Sequence, residues 1–259
     1  MMDLKFRVDK HHLAYKYVLK YFADPNAPTE WLNLKKSLAN QHSAYPGFLF
    51  FEPAEIGHGL LWSDTQSPRY SVIRDEETVQ RIFETIFESE IFKQVLAATE
   101  KYRNDLEQIW EKHTTFREEY AGIIRLETSV SAETLVLSPE LETGSYISNN
   151  IIEWGNPDLF ENYQFIGLCH EFLHILTEKQ FLESKTEEDK WLLHALIYLS
   201  ADEELRVRMN GGEYFASGSV DKYHPRLIET AQKYLPAWRT YITAAKGSIL
   251  DLYEELRAE

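Results

Sequence analysis

The sequence predicts an α+β fold that is mostly helical and contains one small, mostly antiparallel sheet. Leu4, Phe6 and Val8 alternate with polar residues, which favours a short strand at the start of the chain. Long stretches with apolar residues three and four positions apart follow, and they indicate amphipathic helices. Further strand patterns are confined to about 123–154, so strands and helices do not alternate as they do in βαβ units. We therefore expect a single domain over 1–259.

The elements of this domain can be predicted in order along the chain. Asp9 should cap a first helix that ends near Phe22, and a second helix should run from Thr29 to about Gln41. Helical spacing then continues from about 75 to 120, which gives an N-terminal helical lobe at about 10–120. The remaining region, about 121–259, should contain strands and then helices, and a cut near 120 is the alternative domain boundary. The strands are predicted at 123–126, 134–137 and 146–154, and the helices at about 157–182, 186–210 and from 225 to the end with a break near Pro236.

Composition and charge exclude several classes of protein. The 259 residues are 44% hydrophobic and 27% charged, which is ordinary for a globular chain. Asp and Glu number 42 against 27 Lys and Arg, so the net charge of −15 argues against a nucleic-acid partner. The one cysteine, Cys169, fits a reducing compartment, and no apolar run is long enough for a signal peptide or a membrane span. We expect a cytoplasmic protein with no membrane partner.

One segment carries a pattern with a specific chemistry. His170 and His174 are separated by four positions, so on a helix their imidazoles lie one turn apart on the same face. Two neutral imidazoles in this arrangement suit two corners of a tetrahedral Zn²⁺ site. Glu171 lies next to the first histidine, where it could reach a metal-bound water as the general base. The residues around them are apolar, as expected for a helix that crosses a core.

Two histidines and a water leave one corner of a tetrahedral zinc site for a third protein ligand. The metzincin extension is excluded, because it needs a glycine at 177 and a histidine at 180, where this chain has Thr177 and Gln180. The gluzincin alternative takes a Glu from a following helix. At 100° per residue, Glu203 falls near the centre of the apolar face of the next helix, where a cation would offset the cost of burying its charge. We favour Glu203 over Glu204, and the alternative for both is a solvated charge.

With its H-E-F-L-H segment and a Glu-bearing helix some thirty residues later, the chain resembles the gluzincin zinc metallopeptidases and their peptidase MA-like relatives over about 134–207. The resemblance implies a zincin fold, with an edge strand, here about 146–154, that pairs with an extended peptide substrate. It also implies a zinc ion held by His170, His174 and Glu203, with Glu171 as the catalytic base. The Asn-Glu pair of thermolysin-type enzymes is absent, since Asp202 precedes Glu203.

This ligand set predicts a zinc-dependent peptidase that acts on a peptide or protein substrate. A donor to the tetrahedral oxyanion is usual in such enzymes, and Tyr223 and His224 are the candidates, with Tyr198 and Tyr214 as further possibilities. One alternative is a zincin-fold protein that keeps zinc for binding or regulation, with lost or very narrow activity. Another is a helical interaction protein in which the motif occurs by chance.

Overall fold

The computed structural model divides the chain into two compact units. It describes residues 2–43, 45, 76–126, 130–137, 141, 143–148, 150–155, 160–184, 186–216 and 224–258. The first unit, called the sheet unit below, comprises Met1–Phe6, Asp105–Thr134 and Thr143–Glu259. The second, called the helical unit, comprises Arg7–Asn104 and Leu135–Glu142. The single domain remains a prediction, and the division falls inside a helix at 104/105 and not near 120.

The helical unit is built on amphipathic helices that bury aromatic side chains. It contains α1 (Lys10–Phe22), α2 (Thr29–Gln41), α3 (Glu76–Glu88) and the first part of α4 (Glu90–Lys112). The predicted cap of α1 is confirmed, since Asp9 accepts the backbone N–H groups of His11 and His12, each at 3.0 Å. In the core of this unit Trp31 stacks on Tyr17 with ring centroids 5.1 Å apart.

The sheet unit contains most of the strand residues and the helices that carry His170, His174 and His194. Its elements are most of β1 (Asp3–Arg7), the end of α4, α5 (Thr114–Ile124), the first part of β2 (Ser131–Val136), β3 (Thr143–Ser148), β4 (Ile151–Gly155), α6 (Glu161–Leu176), α7 (Glu178–Glu183), α8 (Glu187–Tyr198), a π-helix (Leu199–Leu205), α9 (Arg206–Asn210), α10 (Pro225–Ala244) and α11 (Ile249–Ala258). The predicted α+β class, mostly helical with one small sheet, is confirmed. Among the described residues, no helix combines the length and the apolar character needed to cross a membrane.

The direction of the strands differs from the prediction. The strand order is β1-β2-β4-β3, and β3 pairs antiparallel with β4, with Thr143 opposite Gly155. The other three strands are parallel, so the expected mostly antiparallel sheet is wrong. The physical reason is the length of the connections: parallel neighbours need a crossover of a dozen or more residues, and the helices between β1 and β2 provide one. In this order β3 lies at one edge of the sheet.

Two predicted elements have another form in the structure. The apolar run at 123–126 was expected to be a strand, but Ile123 and Ile124 form the last residues of α5, buried on its inner side. Arg125 then ends the helix in the left-handed conformation, with φ of 51°. A short apolar run does not distinguish a buried helix end from a strand, and here the tertiary packing decides. The predicted strand at 146–154 is the β3–β4 hairpin, with Asn150 at φ of 62° between the strands.

The helix boundaries also differ from the prediction in two places. The helix predicted over about 157–182 is divided at Thr177, whose hydroxyl donates to the carbonyl of Leu173 at 2.8 Å. The break expected near Pro236 is wrong, because α10 continues through this residue to Ala244. Ala245, at φ of 51°, ends the helix instead.

A close contact between a glycine and a tryptophan places α6 against the sheet. A Cβ atom added at Gly167 would lie 2.3 Å from the indole of Trp154 on β4, so the absent side chain lets helix and strand approach. The indole Nε1–H also donates to Gln164 on α6 at 2.8 Å. Because this contact lies one turn before His170, it fixes the position of the helix that carries the motif.

We predict that Gly167→Ala destabilises the protein, although alanine favours helix more than glycine does. The added methyl group must displace a buried indole, and overpacking of this kind costs about 1–3 kcal/mol. Gly122→Ala on α5 is the matched control, because no atom lies within 4 Å of its added Cβ, and it should stabilise by about 0.5–1 kcal/mol. Chemical denaturation of both variants measures the difference, and equal stabilisation by both would contradict the packing argument.

Candidate metal centre

Helix α6 presents two imidazoles at one point. His170 and His174 lie one turn apart, as their spacing predicts, and their Nε2 atoms are 3.2 Å apart. Two nitrogen ligands at the usual Zn–N distance of about 2.0–2.1 Å in a tetrahedral site are separated by about 3.3 Å. The observed separation is therefore close to that of two adjacent corners of a zinc tetrahedron.

The third imidazole comes from α8. The ring of His194 lies 5.5 Å from that of His170 and 4.9 Å from that of His174, measured between centroids. One nitrogen of each ring can be chosen so that all three lie within 4.8 Å of one another. Within the described part of the chain, these three histidines are the group that could hold a metal ion.

A carboxylate orients the first of these rings. Asp202, in the π-helix, accepts a hydrogen bond from Nδ1–H of His170 at 2.5 Å. This bond fixes the tautomer, so Nε2 of the ring faces the other histidines. Carboxylate–histidine pairs of this kind orient metal ligands and raise their basicity in many metal sites.

The pKa values of the three imidazoles are shifted in different directions. Burial alone would lower the pKa of His170, but the carboxylate of Asp202 outweighs it, with a smaller contribution from Glu171, and raises the pKa to about 9. Burial, together with the charge at His170, holds the pKa of His174 well below its usual range and lowers that of His194 to about 4. Two of the rings are thus neutral near pH 7, as metal ligands must be, while at His170 a metal ion has to displace a proton.

Glu171 follows His170 on α6 and is half-buried. Its charge acts on the adjacent His170, whose pKa it helps to raise. It follows the first histidine directly, the position that the general base occupies in the H-E-x-x-H pattern.

The predicted third ligand, Glu203, is bound to other side chains in the structure and is not in the group of three histidines. Glu203 is completely buried, but its carboxylate accepts from Arg206 at 2.7 Å, from the Tyr198 hydroxyl at 2.5 Å and from the backbone N–H of Phe215 at 2.8 Å. Its charge is therefore offset by a guanidinium. The third side chain that lies close to His170 and His174 in the described residues is His194.

The alternative ligand, Glu204, has partners of its own. Its carboxylate accepts from Arg208 at 2.6 Å and from the hydroxyl of Tyr214. Both tyrosines considered as oxyanion donors, Tyr198 and Tyr214, thus donate to these two glutamates.

The π-helix explains why Asp202 contacts His170 while Glu203 and Glu204 bind other side chains. The prediction assumed 100° of rotation per residue, whereas residues 199–205 form the wider i→i+5 turn. Eight residues of a regular helix place Asp202 about 80° away from His194. The smaller rotation of the π-helix reduces this offset, so that the third histidine and the supporting carboxylate come from one face of a continuous helix.

Of the two candidate oxyanion donors, Tyr223 lies outside the described residues. His224 is exposed and caps α10, where its Nδ1 accepts the backbone N–H of Arg226 at 3.2 Å. Its ring lies 5.2 Å from that of Trp191, which in turn is nearly parallel to His194 at 6.4 Å. His224 is therefore connected to the three histidines through one aromatic ring.

The sequence reasoning missed His194 and Asp202. A regular helix over 186–210 would place His194 opposite the apolar face and exposed, but it is half-buried against two other histidines. The one feature of the sequence that could have indicated His194 is its position on the helix after the motif, shortly before the acidic residues at 202–204. Cys169, by contrast, is a fully buried thiol, as its apolar neighbours predict.

Comparison of the chain with protein family models, with curated proteins and with solved structures finds no match.

We predict that His194→Ala weakens zinc binding by more than about 100-fold. Removing a residue that only supports a ligand costs roughly 10–100-fold in metal affinity, and this variant removes a proposed ligand itself. His224→Ala serves as the matched control, since this exposed ring is not in the group of three, and it should bind zinc within about twofold of the wild type. Competition with a chromophoric chelator measures both dissociation constants. Unchanged affinity in His194→Ala would exclude this histidine as a ligand.

Proposed function

We propose that this chain is a zinc-dependent peptidase in which His170, His174 and His194 hold the metal and Glu171 is the general base. The observation that carries the proposal is the convergence of three imidazoles, with the carboxylate of Asp202 behind the first of them. The H-E-x-x-H spacing on a buried helix supports the same interpretation. The zincin-like fold and the cytoplasmic location belong to this proposal as well.

Zinc is the metal that fits this donor set best. Nitrogen ligands suit zinc better than calcium or magnesium, which prefer oxygen. Three neutral imidazoles form one of the known catalytic ligand sets, in which the fourth position stays open for water. A bound zinc ion would act as a Lewis acid and lower the pKa of that water to about 7.

The protein residues then have distinct roles. Glu171 accepts a proton from the attacking water and delivers it to the leaving amine of the cleaved peptide bond. Asp202 keeps His170 in the tautomer that binds metal, and it stabilises the ring as a ligand.

His224 is suited to donate to the oxyanion that forms during hydrolysis. Because Nδ1 accepts the N–H of Arg226, the neutral ring carries its proton on Nε2. This leaves Nε2–H as a donor on a ring that contacts Trp191, which is itself stacked on His194. The helix cap therefore selects the tautomer that the role requires.

The edge of the sheet supports a peptide as substrate. β3 has β4 on one side and lies at the end of the strand order, so its other side can accept an extended chain. In the sheet unit this strand also packs near α6, which carries the first two histidines.

We predict that Glu171→Gln retains zinc but loses peptide hydrolysis by about 10²–10⁴-fold, the usual contribution of a general base. Zinc stoichiometry and turnover of a mixed peptide library check the two parts separately. Chelator should abolish the wild-type activity, and added zinc should restore it. If the wild type binds zinc and cleaves no peptide, the peptidase proposal fails and the regulatory zinc protein becomes the better hypothesis.

We predict that His224→Ala lowers the turnover number by about 10²–10³-fold, because it removes a donor to the oxyanion. The zinc affinity should stay within about twofold of the wild type, as stated above. His224→Asn, which keeps a side chain able to donate and to cap, should recover part of the loss. Wild-type turnover in His224→Ala would assign the oxyanion donor elsewhere.

A further inference from the structure

Three consecutive carboxylates of the π-helix have three different partners. Asp202 accepts from His170, Glu203 binds Arg206, and Glu204 accepts from two other side chains. We propose that Glu203 and Arg206 are positioning residues of the metal centre: their buried ion pair holds the π-helical turn that aims Asp202 at His170. The inference rests on the metal site of the proposed function and deepens it.

The guanidinium of Arg206 connects both acids directly. Its Nη2 donates to Glu203 at 2.7 Å, and its Nε donates to the main-chain carbonyl of Asp202 at 3.1 Å. The side chain of Arg206 is 6% exposed and that of Glu203 is 0% exposed. One rigid, planar group therefore holds the backbone of Asp202 and the side chain of the next residue at the same time.

Further contacts fix this pair in place. The Tyr198 hydroxyl and the backbone N–H of Phe215 donate to the carboxylate of Glu203, at 2.5 and 2.8 Å. Arg206 also donates to the carbonyl of Glu213 at 2.8 Å. The turn at 213–215 is thus attached to the π-helix by bonds to both members of the ion pair.

Stability alone is a weak reason for such a pair. Replacing a buried ion pair by apolar residues of similar volume is often neutral or stabilising, because both charges must be removed from water. Apolar residues, however, do not fix the direction of a backbone carbonyl. The arrangement of Arg206 around Asp202 and Glu203 instead specifies one geometry of the turn.

That geometry matters because it decides which residue faces His170. In a regular helix Ala201, not Asp202, would lie nearest in rotation to His194, since seven residues turn by about 700°. The π-helix delays the rotation and brings Asp202 to this face. Loss of the turn would separate the ligand His194 from the acid that orients His170.

The test uses zinc affinity in four single variants and one double variant of the full chain. Glu203→Gln and Arg206→Lys should each weaken zinc binding by about tenfold or more, as removal of an outer partner does. Glu204→Gln is the matched control, because it removes the neighbouring charge and should stay within about twofold. Asp202→Asn should weaken zinc binding directly. In the double variant, Glu203→Gln should weaken it little further, since both changes act through the hydrogen bond that orients His170.

A spectroscopic measurement separates positioning from general loss of stability. With Co²⁺ as the probe, the visible absorption should change in Glu203→Gln in the same sense as in Asp202→Asn, and it should stay unchanged in Glu204→Gln. If Glu203→Gln does not fold, Arg206→Lys provides the test. This variant keeps a positive charge opposite Glu203, but it loses the hydrogen bond from Nε of Arg206 to the carbonyl of Asp202.

The outcomes distinguish this inference from the proposed function. Wild-type zinc affinity in folded Glu203→Gln or Arg206→Lys would overturn the inference, and so would losses that add in full to those of Asp202→Asn. A wild type that binds no zinc would overturn the metal centre and the inference together. Zinc binding with the expected non-additive losses but without peptide hydrolysis would overturn only the peptidase.

Discussion

The hydrogen bond between Asp202 and His170 is the interaction on which the site depends. It joins two separate helices: α6 provides the histidine, and the π-helix after α8 provides the acid. The two residues are separated by 32 positions in the sequence, so the bond restricts how the two helices can lie relative to each other. Two sets of contacts hold these two helices in position relative to each other. Gly167 of α6 packs against Trp154, and Arg206 pairs with Glu203 in the π-helical segment.

The local signals in the sequence were sufficient for the part of the site that lies on one helix. His170, Glu171 and His174 occur within five positions, and their geometry follows from the rotation of a regular helix. The same holds for the cap at Asp9 and for the helical unit, where apolar spacing and turn residues agree. In these places the local preference and the tertiary packing favour the same structure.

The position of the third histidine, His194, could not be predicted in the same way, for a physical reason. Its prediction required a rotation angle over eight or more residues, and the π-helix changes that angle in the middle of the segment. Nothing in Leu199–Leu205 identifies the wider turn, because it is stabilised by contacts with residues that come later, such as Arg206 and Phe215. The strand directions failed for a related reason: the pairing of β1 with β2 depends on partners more than 100 positions apart.

The strands of the sheet come from distant parts of the chain, and this separation affects the order in which the protein can fold. The sheet unit takes β1 from the first residues and everything else from position 105 onward. β1 can therefore pair with β2 only after the intervening residues, which include the helices at 10–124, have been synthesised. Contacts between such distant segments close a large loop at a cost in entropy, and they generally slow folding. The helical unit has the same requirement on a smaller scale, because Leu137 and Leu141 of its core follow β2 in the chain.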